Sequence, residues 1–228
     1  MIKENERIDD LFIGNLKIIQ NEKEFMYGTD AVILSDFVSI KKNNSVLDLC
    51  TGSGVIPLLV YAKYLPERIT GIEYFHEVSD RALRSVEMNC LSDKINIICG
   101  DIKNIDRYVK RESFDIVTAN PPYMFAGSGF HNNNDYKTAA RHEILCTIDD
   151  VVRAAEYSLK YGGKLAMVHR CERMTDVFAS FRKYKIEPKR FSFAYSDISQ
   201  PPKLILIEGK KGAGPGLIFE PPVRLENK

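Results

Sequence analysis

The tetrapeptide Asn120-Pro121-Pro122-Tyr123 has the composition of a site that handles a planar exocyclic nitrogen. Such a nitrogen is a poor nucleophile because its lone pair is delocalised into a ring or a carbonyl. The Asn120 side-chain oxygen and the Pro121 carbonyl would accept its two N–H hydrogens and localise the lone pair towards an electrophile. The prolines fix the backbone, and Tyr123 offers a face for stacking a base. We therefore predict that these four residues are catalytic.

The same tetrapeptide could be an ordinary turn, since Asn-Pro and Pro-Pro are common in loops. Its position favours a site. The tetrapeptide closely follows the apolar segment 114–118, which is predicted to be a buried strand. Ligands of parallel sheets bind at the carboxyl ends of the strands.

A glycine-containing turn over residues 48–54 lies where a buried strand becomes a helix. Glycines there let backbone amides approach a ligand at the helix N-terminus. Glu73 ends the next strand, 21 residues beyond Gly52. A carboxylate at that spacing accepts both ribose hydroxyls of an adenosine-containing cofactor.

Pro57 stands where a dinucleotide site would need its third glycine. The pattern instead resembles motif I of class I methyltransferases, which implies S-adenosyl-L-methionine as the cofactor. Asp48 would receive the amino-acid end of the cofactor, directly or through water. The remaining cofactor-binding residues predicted around this turn are Thr51, Gly52, Gly54, Glu73 and Asn120.

Two further segments complete the predicted cofactor site. Gly100-Asp101-Ile102 follows the third strand and resembles the motif whose Asp accepts from the adenine amine while an apolar neighbour flanks the ring. Taken alone, Gly-Asp is only a turn. The family pattern also assigns Tyr27-Gly28-Thr29-Asp30 to a segment that closes over the methionine moiety, although Thr29 or Asp30 could simply cap a helix.

Short apolar runs alternate with longer amphipathic segments, which indicates β-α-β units around a mostly parallel sheet. Two strands joined without a helix should end the sheet and run antiparallel. Gly162-Gly163 is predicted to stop a helix, and a further helix is predicted over 174–184. The predicted strands are 45–49, 69–73, 95–99, 114–118, 164–168, 190–195 and 204–207.

We therefore expect an α/β, Rossmann-like class I methyltransferase fold, with a mostly parallel seven-stranded sheet, one antiparallel strand and helices on both faces. A small hairpin over 11–19 would turn at Gly14-Asn15. A single domain of residues 1–228 is predicted. It comprises an N-terminal hairpin and helix (1–44), a core (45–211) and a C-terminal tail (212–228) that begins as a flexible, turn-rich link.

Composition sets the broad class. The chain has 228 residues, is 44% hydrophobic, and has neither a signal-peptide-like segment nor an apolar run long enough to span a membrane. A cytoplasmic protein is expected. Its five separated cysteines include no CxxC pair, so we predict reduced, mostly buried thiols, no disulfide framework and no metal.

Charge is unevenly distributed. Residues 153–211 carry 13 Lys and Arg against 6 Asp and Glu, a local charge of +7, so the rest of the chain carries −6. This basic half could bind a polyanion or could be a solvated helix face. The candidate phosphate contacts are Lys183, Lys185, Lys189, Arg190, Lys210 and Lys211.

Nearly the whole chain resembles the bacterial tRNA(Val) adenine-N6 methyltransferase family. The chain departs from the family at Cys50, where Gly is more common, and at Cys171, where Pro is common. The resemblance depends on the two central motifs and on Phe25, Tyr27-Gly28-Thr29-Asp30-Ala31, Ala140-Arg141-His142-Glu143, His169-Arg170, Glu172-Arg173, Gly212 and Phe219-Glu220-Pro221-Pro222.

The resemblance implies methylation of the 6-amino group of a tRNA adenine next to the anticodon. A tRNA is then the expected partner, with no membrane partner and with a monomer favoured. Asn-Pro-Pro-Tyr also occurs in glutamine methyltransferases that act on release factors and, in variants, in guanine-amine methyltransferases of RNA. The polar loop 125–137 would be a substrate-ordered lid, and Arg141, Arg170 and Arg173 could contact phosphates.

Overall fold

The structure is a computed structural model and describes residues 2–24, 26–122 and 146–225. Its helices are α1 (Thr29–Phe37), α2 (Val55–Tyr64), α3 (His76–Met88), α4 (Ile148–Ser158) and α5 (Met174–Lys183), with 3-10 segments at Ile102–Arg107 and Cys171–Arg173. Its strands are β1 (Glu6–Asp10), β2 (Lys17–Asn21), β3 (Ser45–Leu49), β4 (Arg68–Glu73), β5 (Ile95–Cys99), β6 (Phe114–Ala119), β7 (Leu159–Arg170), β8 (Ile186–Tyr195), β9 (Leu204–Lys211), β10 (Ile218–Phe219) and β11 (Val223–Arg224).

The main sheet has the predicted seven-stranded core, in the order β8-β9-β7-β6-β3-β4-β5. Strand β9 runs antiparallel to both neighbours, and the other pairings are parallel. The α/β fold class is therefore confirmed.

The strand count was wrong by two, because β10 and β11 both add to the outer edge of β8. Main-chain hydrogen bonds define these short strands, for example from Leu225 N to Tyr195 O at 2.6 Å. Two residues are too few to show an alternating apolar pattern, so these strands were not predicted.

Helices cover both faces of the sheet, as predicted. Helices α1, α2 and α3 bury Leu34, Leu58 and Val86 in one apolar cluster. Helices α4 and α5 bury Val151 and Phe181 in the other.

Three local predictions need correction. Helix α4 already ends at Ser158, and Gly162-Gly163 lies inside β7 at an irregularity opposite β6. A Cβ on Gly163 would come 2.9 Å from two backbone carbonyl oxygens, so close packing, and not helix termination, explains that glycine.

Thr29 and Asp30 are not caps, because Gly28 occupies the capping position and no side chain caps the helix. The cysteines are not mostly buried: Cys90 and Cys99 are exposed, while the other three are partly buried.

The predicted hairpin is present, with Gly14 and Asn15 in the left-handed region at φ 59° and 54°. Its first strand lies earlier than predicted, at Glu6–Asp10, because this polar segment has no apolar alternation to mark it.

A buried ion pair fixes the hairpin to α3. Glu6 accepts a hydrogen bond from the Arg84 guanidinium at 2.6 Å. Hydrogen bonding to Arg84 lowers the pKa of Glu6 to about 2.

We expect Glu6→Gln to lower the free energy of unfolding by about 1–3 kcal/mol, because Arg84 loses a buried charged partner. Urea denaturation measures this. Since the pKa of Glu6 is depressed, its contribution is present above pH ~4.5 and disappears as the pH falls towards 2.

The matched control is Glu22→Gln on the same hairpin. Glu22 pairs with Arg7 at 3.6 Å, and its side chain is 58% exposed. Its loss should cost less than about 0.5 kcal/mol. Equal costs for the two variants would contradict the assignment of Glu6 as the anchor.

Candidate functional site

Four parallel strands end at the same edge of the sheet. In the register of the sheet Leu49 lies beside Ile72 and Ala119, and Glu73 lies beside Cys99. The motifs that follow these strands therefore meet at this edge, which we call the site edge. Chain order and parallel pairing together place the glycine turn, Glu73, Asp101 and Asn120 there.

The glycine turn uses backbone conformations that favour glycine. Gly52 and Gly54 have φ of 57° and 84°, and a Cβ on Gly54 would lie 3.3 Å from the Ala82 side chain. Cys50 also has a positive φ, 58°, which costs a non-glycine residue roughly 1 kcal/mol. This geometry gives a physical reason why glycine would suit position 50.

Glu73 lies across the mouth of this turn. Its carboxylate accepts hydrogen bonds from Gly52 N at 2.9 Å and from Phe75 N at 3.0 Å. The side chain is almost fully buried, and burial raises its pKa. An ionised carboxylate only accepts hydrogen bonds and offers about four acceptor positions, which is the kind of group that a ribose diol needs.

Asp48 lies beneath the turn and is completely buried. It accepts from the Thr51 hydroxyl and from the Thr118 hydroxyl, each at 2.6 Å. Burial raises the pKa of Asp48 to about 7. Because Asp48 has no exposed surface, its predicted role fits better through water than by direct contact with a cofactor.

At the end of β5, Asp101 begins the 3-10 turn, and its side chain accepts from Lys103 N at 2.9 Å. Ile102 packs into the core and is only 5% exposed, which leaves little of it to flank an adenine. Sequence reasoning overlooked Tyr74 and Phe75, whose rings pack edge to face at 5.2 Å directly after Glu73. Two aromatic residues after the strand-ending acid were the available signal.

Asn120 follows β6, and its side-chain Nδ2 donates to Asp30 Oδ2 at 3.0 Å. Asp30 is buried in the first turn of α1, next to Thr29. The preceding segment is tied to the hairpin, because Tyr27 N donates to Gln20 Oε1 at 2.9 Å. The structure thus joins two segments that are 90 residues apart in the chain.

The prolines after Asn120 continue along the site edge, with Pro121 buried and Pro122 partly buried. Tyr123, the 125–137 loop and the Ala140-Arg141-His142-Glu143 segment lie outside the described residues. The predictions made for them stay predictions.

Most of the candidate phosphate contacts lie at the opposite edge of the sheet. Lys211 and Lys210 end β9, which runs antiparallel to β7, and Ile186 pairs with Lys211. Arg190 and Lys211 are already engaged in ion pairs with Glu208 and Glu112, respectively.

The site edge carries other basic residues. Arg170 ends β7 and pairs with Leu204, which follows Lys203. The short β11 places Arg224 beside Tyr195, at the same end of β8. Lys203 and Arg224 are exposed. His169, also at this edge, is buried, which lowers its pKa to about 4 and keeps it neutral.

The order of the strands and the motifs at the site edge define a class I methyltransferase. Among known families, the model of the methyltransferase small domain matches residues 19–189. The chain belongs to this family, and its cofactor is S-adenosyl-L-methionine.

Curated relatives are similar over most of the chain. A protein of Porphyromonas gingivalis named tRNA1(Val) (adenine(37)-N6)-methyltransferase is 28% identical over 187 residues, 79% of this chain and 72% of the relative. A protein of the same name from Parabacteroides distasonis is 27% identical over 184 residues, 79% of this chain and 75% of the relative.

Solved structures share the fold. A predicted O-methyltransferase from Agrobacterium tumefaciens aligns with a TM-score of 0.70 and 20% identity, covering 86% of each chain. The M. jannaschii protein TYW2, solved in complex with AdoMet, aligns with a TM-score of 0.61 and 14% identity, covering 92% of this chain and 87% of that one.

Two other features of the described residues bear on partners. No helix within 2–24, 26–122 and 146–225 is both long and apolar enough to cross a membrane. Across the same ranges no three His, Cys, Asp or Glu side chains are grouped so that they could hold a metal ion.

The raised pKa of Asp48 predicts a pH dependence of stability. Its pKa is about 7 in the folded chain against about 3.9 when unfolded, so the folded state binds more protons between these values. Wild-type stability should therefore fall relative to Asp48→Asn as the pH rises from 5 to 8, by at most about 1.4 kcal/mol per pH unit. Thermal and urea unfolding of both proteins at pH 5 and pH 8 measure the difference.

Asp115→Asn is the control for this comparison. Burial disfavours the Asp115 carboxylate, but hydrogen bonds from Lys160 and Ser45 outweigh burial and lower its pKa. Asp115 therefore stays ionised in both states from pH 5 to 8, and its stability difference from wild type should stay constant. A constant difference for Asp48→Asn as well would contradict the assignment.

Proposed function

We propose that this chain transfers a methyl group from S-adenosyl-L-methionine to the 6-amino group of an adenine in tRNA, next to the anticodon of tRNA(Val). The observation that carries the proposal is the position of Asn120 and Pro121, directly after β6 at the edge where Gly52 and Glu73 meet. The names of the curated relatives support the choice of substrate. A tRNA substrate in turn supports a cytoplasmic location.

In this proposal the adenine amine donates its two N–H groups to Asn120 Oδ1 and to the Pro121 carbonyl. Both acceptors localise the nitrogen lone pair and hold it in line with the methyl group. The bound cofactor supplies an electrophilic methyl on a sulfonium. The amine nitrogen would gain the methyl group as the carbon–sulfur bond of the sulfonium breaks, which leaves a neutral thioether, and would lose one proton to solvent. Tyr123 would stack on the adenine.

The cofactor would lie along the site edge. Glu73 would accept from the ribose hydroxyls, and Asp101 from the adenine amine, with Ile102 or the aromatic pair Tyr74 and Phe75 beside the ring. The turn containing Thr51, Gly52 and Gly54 would surround the amino-acid end, with Asp48 acting from below. The segment 27–30 would close over the methionine moiety.

The division of the chain also belongs to the proposal. Residues 45–211 would form the catalytic core, and 1–44 would be an extension that delivers the 27–30 segment. Residues 212–228 would carry Arg224 to the site edge. All three parts then form one methyltransferase domain.

Nucleoside analysis tests the substrate. Unmodified tRNA is incubated with the protein and methyl-labelled S-adenosyl-L-methionine, digested to nucleosides and examined by mass spectrometry. We expect 6-methyladenosine, and Asn120→Ala should reduce the rate by about 10²-fold or more, because a positioned acceptor is lost. Label in a methylated guanosine, or label that survives ribonuclease in a release factor, would instead identify one of the related chemistries.

We expect the basic side chains at the site edge to contact RNA. Replacing Lys203 and Arg224 by Ala should weaken tRNA binding and reduce the slope of log affinity against log salt by about 1 to 2, because two phosphate contacts are lost. The matched control replaces Lys185 and Lys210, two exposed lysines at the opposite edge. A salt titration of tRNA affinity compares the two double variants, and the reverse pattern would overturn the assignment.

A further inference from the structure

We propose that Asp30 is a positioning residue that sets the orientation of the Asn120 carboxamide, so that Oδ1 and not Nδ2 faces the reacting amine. The proposal rests on the proposed function, in which Asn120 accepts a hydrogen bond from that amine. It gives Asp30 a role in the rate of methyl transfer that differs from cofactor binding.

The problem that Asp30 solves is the near symmetry of a carboxamide. Its oxygen and nitrogen have almost the same shape, so packing alone does not select one orientation. In the wrong orientation Nδ2 would point its own hydrogens at the N–H groups of the substrate. The Asn120 side chain would then repel the amine.

An ionised carboxylate removes this ambiguity because it only accepts hydrogen bonds. Nδ2 of Asn120 donates to Asp30 Oδ2 at 3.0 Å, and the flipped amide would place two acceptor oxygens against each other. The charged acceptor also polarises the amide, which makes Asn120 Oδ1 a stronger acceptor. Asp30 therefore selects the productive orientation and strengthens it.

The surroundings hold the Asp30 carboxylate in place. Its other oxygen, Oδ1, accepts from Ala31 N at 2.9 Å, and the N-terminus of α1 favours a negative charge. Asp30 as a whole residue is 8% exposed. A Cβ on Gly28 would come 2.8 Å from Asp30 Oδ1, so glycine at position 28 leaves room for this carboxylate.

The far end of α1 is fixed independently of Asp30. Lys63 Nζ donates to Ser35 Oγ at 2.7 Å, and the Arg190 guanidinium stacks on Phe37 at 4.6 Å from the ring centre. Since α1 is packed on α2 and tied to β8, removal of the Asp30 carboxylate should leave the helix in place.

A double-mutant cycle tests the proposal. Asp30→Ala should lower kcat about 10-fold or more, while the cofactor Kd measured by calorimetry changes less than about 3-fold. Asp30→Asn should retain part of the rate, because its amide oxygen can still accept from Nδ2. In the Asn120→Ala background, Asp30→Ala should have little further effect, because Asp30 acts through Asn120.

Two further variants separate positioning from general damage. Gly28→Ala keeps the charge but crowds the carboxylate, so it should lower kcat without loss of fold. Asp36→Asn, at the other end of α1, removes an ion pair with Lys63 and should leave kcat unchanged.

Three outcomes would overturn the proposal. One is an additive loss of rate in the double variant, and another is a rise in cofactor Kd with a wild-type kcat once the cofactor is saturating. The third is an unchanged side-chain amide NMR signal of Asn120 in Asp30→Ala. The NMR signal is measured without substrate. The double-mutant cycle can be run on whichever amine accepts the label. A wrong substrate assignment is therefore distinguishable from a wrong role for Asp30.

Discussion

A buried carboxylate joins the parts of the site that must stay in register. Asp48 lies at the centre of the sheet and accepts one threonine hydroxyl from the glycine turn and one from β6. The turn at the cofactor end and the strand that leads to Asn120 are therefore coupled through one side chain. Desolvation penalises the charged form of Asp48, which is why its pKa is raised to about 7.

The N-terminal segment supplies the second constraint. Its hairpin is fixed to α3 through Glu6 and Arg84, and Gln20 then holds the backbone at Tyr27. From there the chain enters α1 and places Asp30 against Asn120. A segment outside the central sheet thus contacts the residue that follows β6, and α1 connects the hairpin to the site edge.

The distribution of charge shows how far composition can be used. Four of the 13 basic residues over 153–211 lie on β8 and β9 near the edge away from Asn120, namely Lys189, Arg190, Lys210 and Lys211. Two of those cations are engaged within the fold, since Arg190 pairs with the buried Glu208 and Lys211 pairs with the half-buried Glu156. The direction of a strand decides which of its ends lies at the site edge. Composition carries no information on strand direction.

The sequence by itself determined the seven-stranded core and the class of chemistry. Buried strands have a strong apolar signal, and parallel pairing forces the motifs after β3, β4, β5 and β6 onto one edge. Only the tertiary structure decided the contacts of Asp30 and Asp48, the edge strands β10 and β11, and which basic residues lie at the site edge. Those features depend on contacts between segments tens of residues apart, such as the 90 residues between Asp30 and Asn120, and no local pattern encodes such contacts.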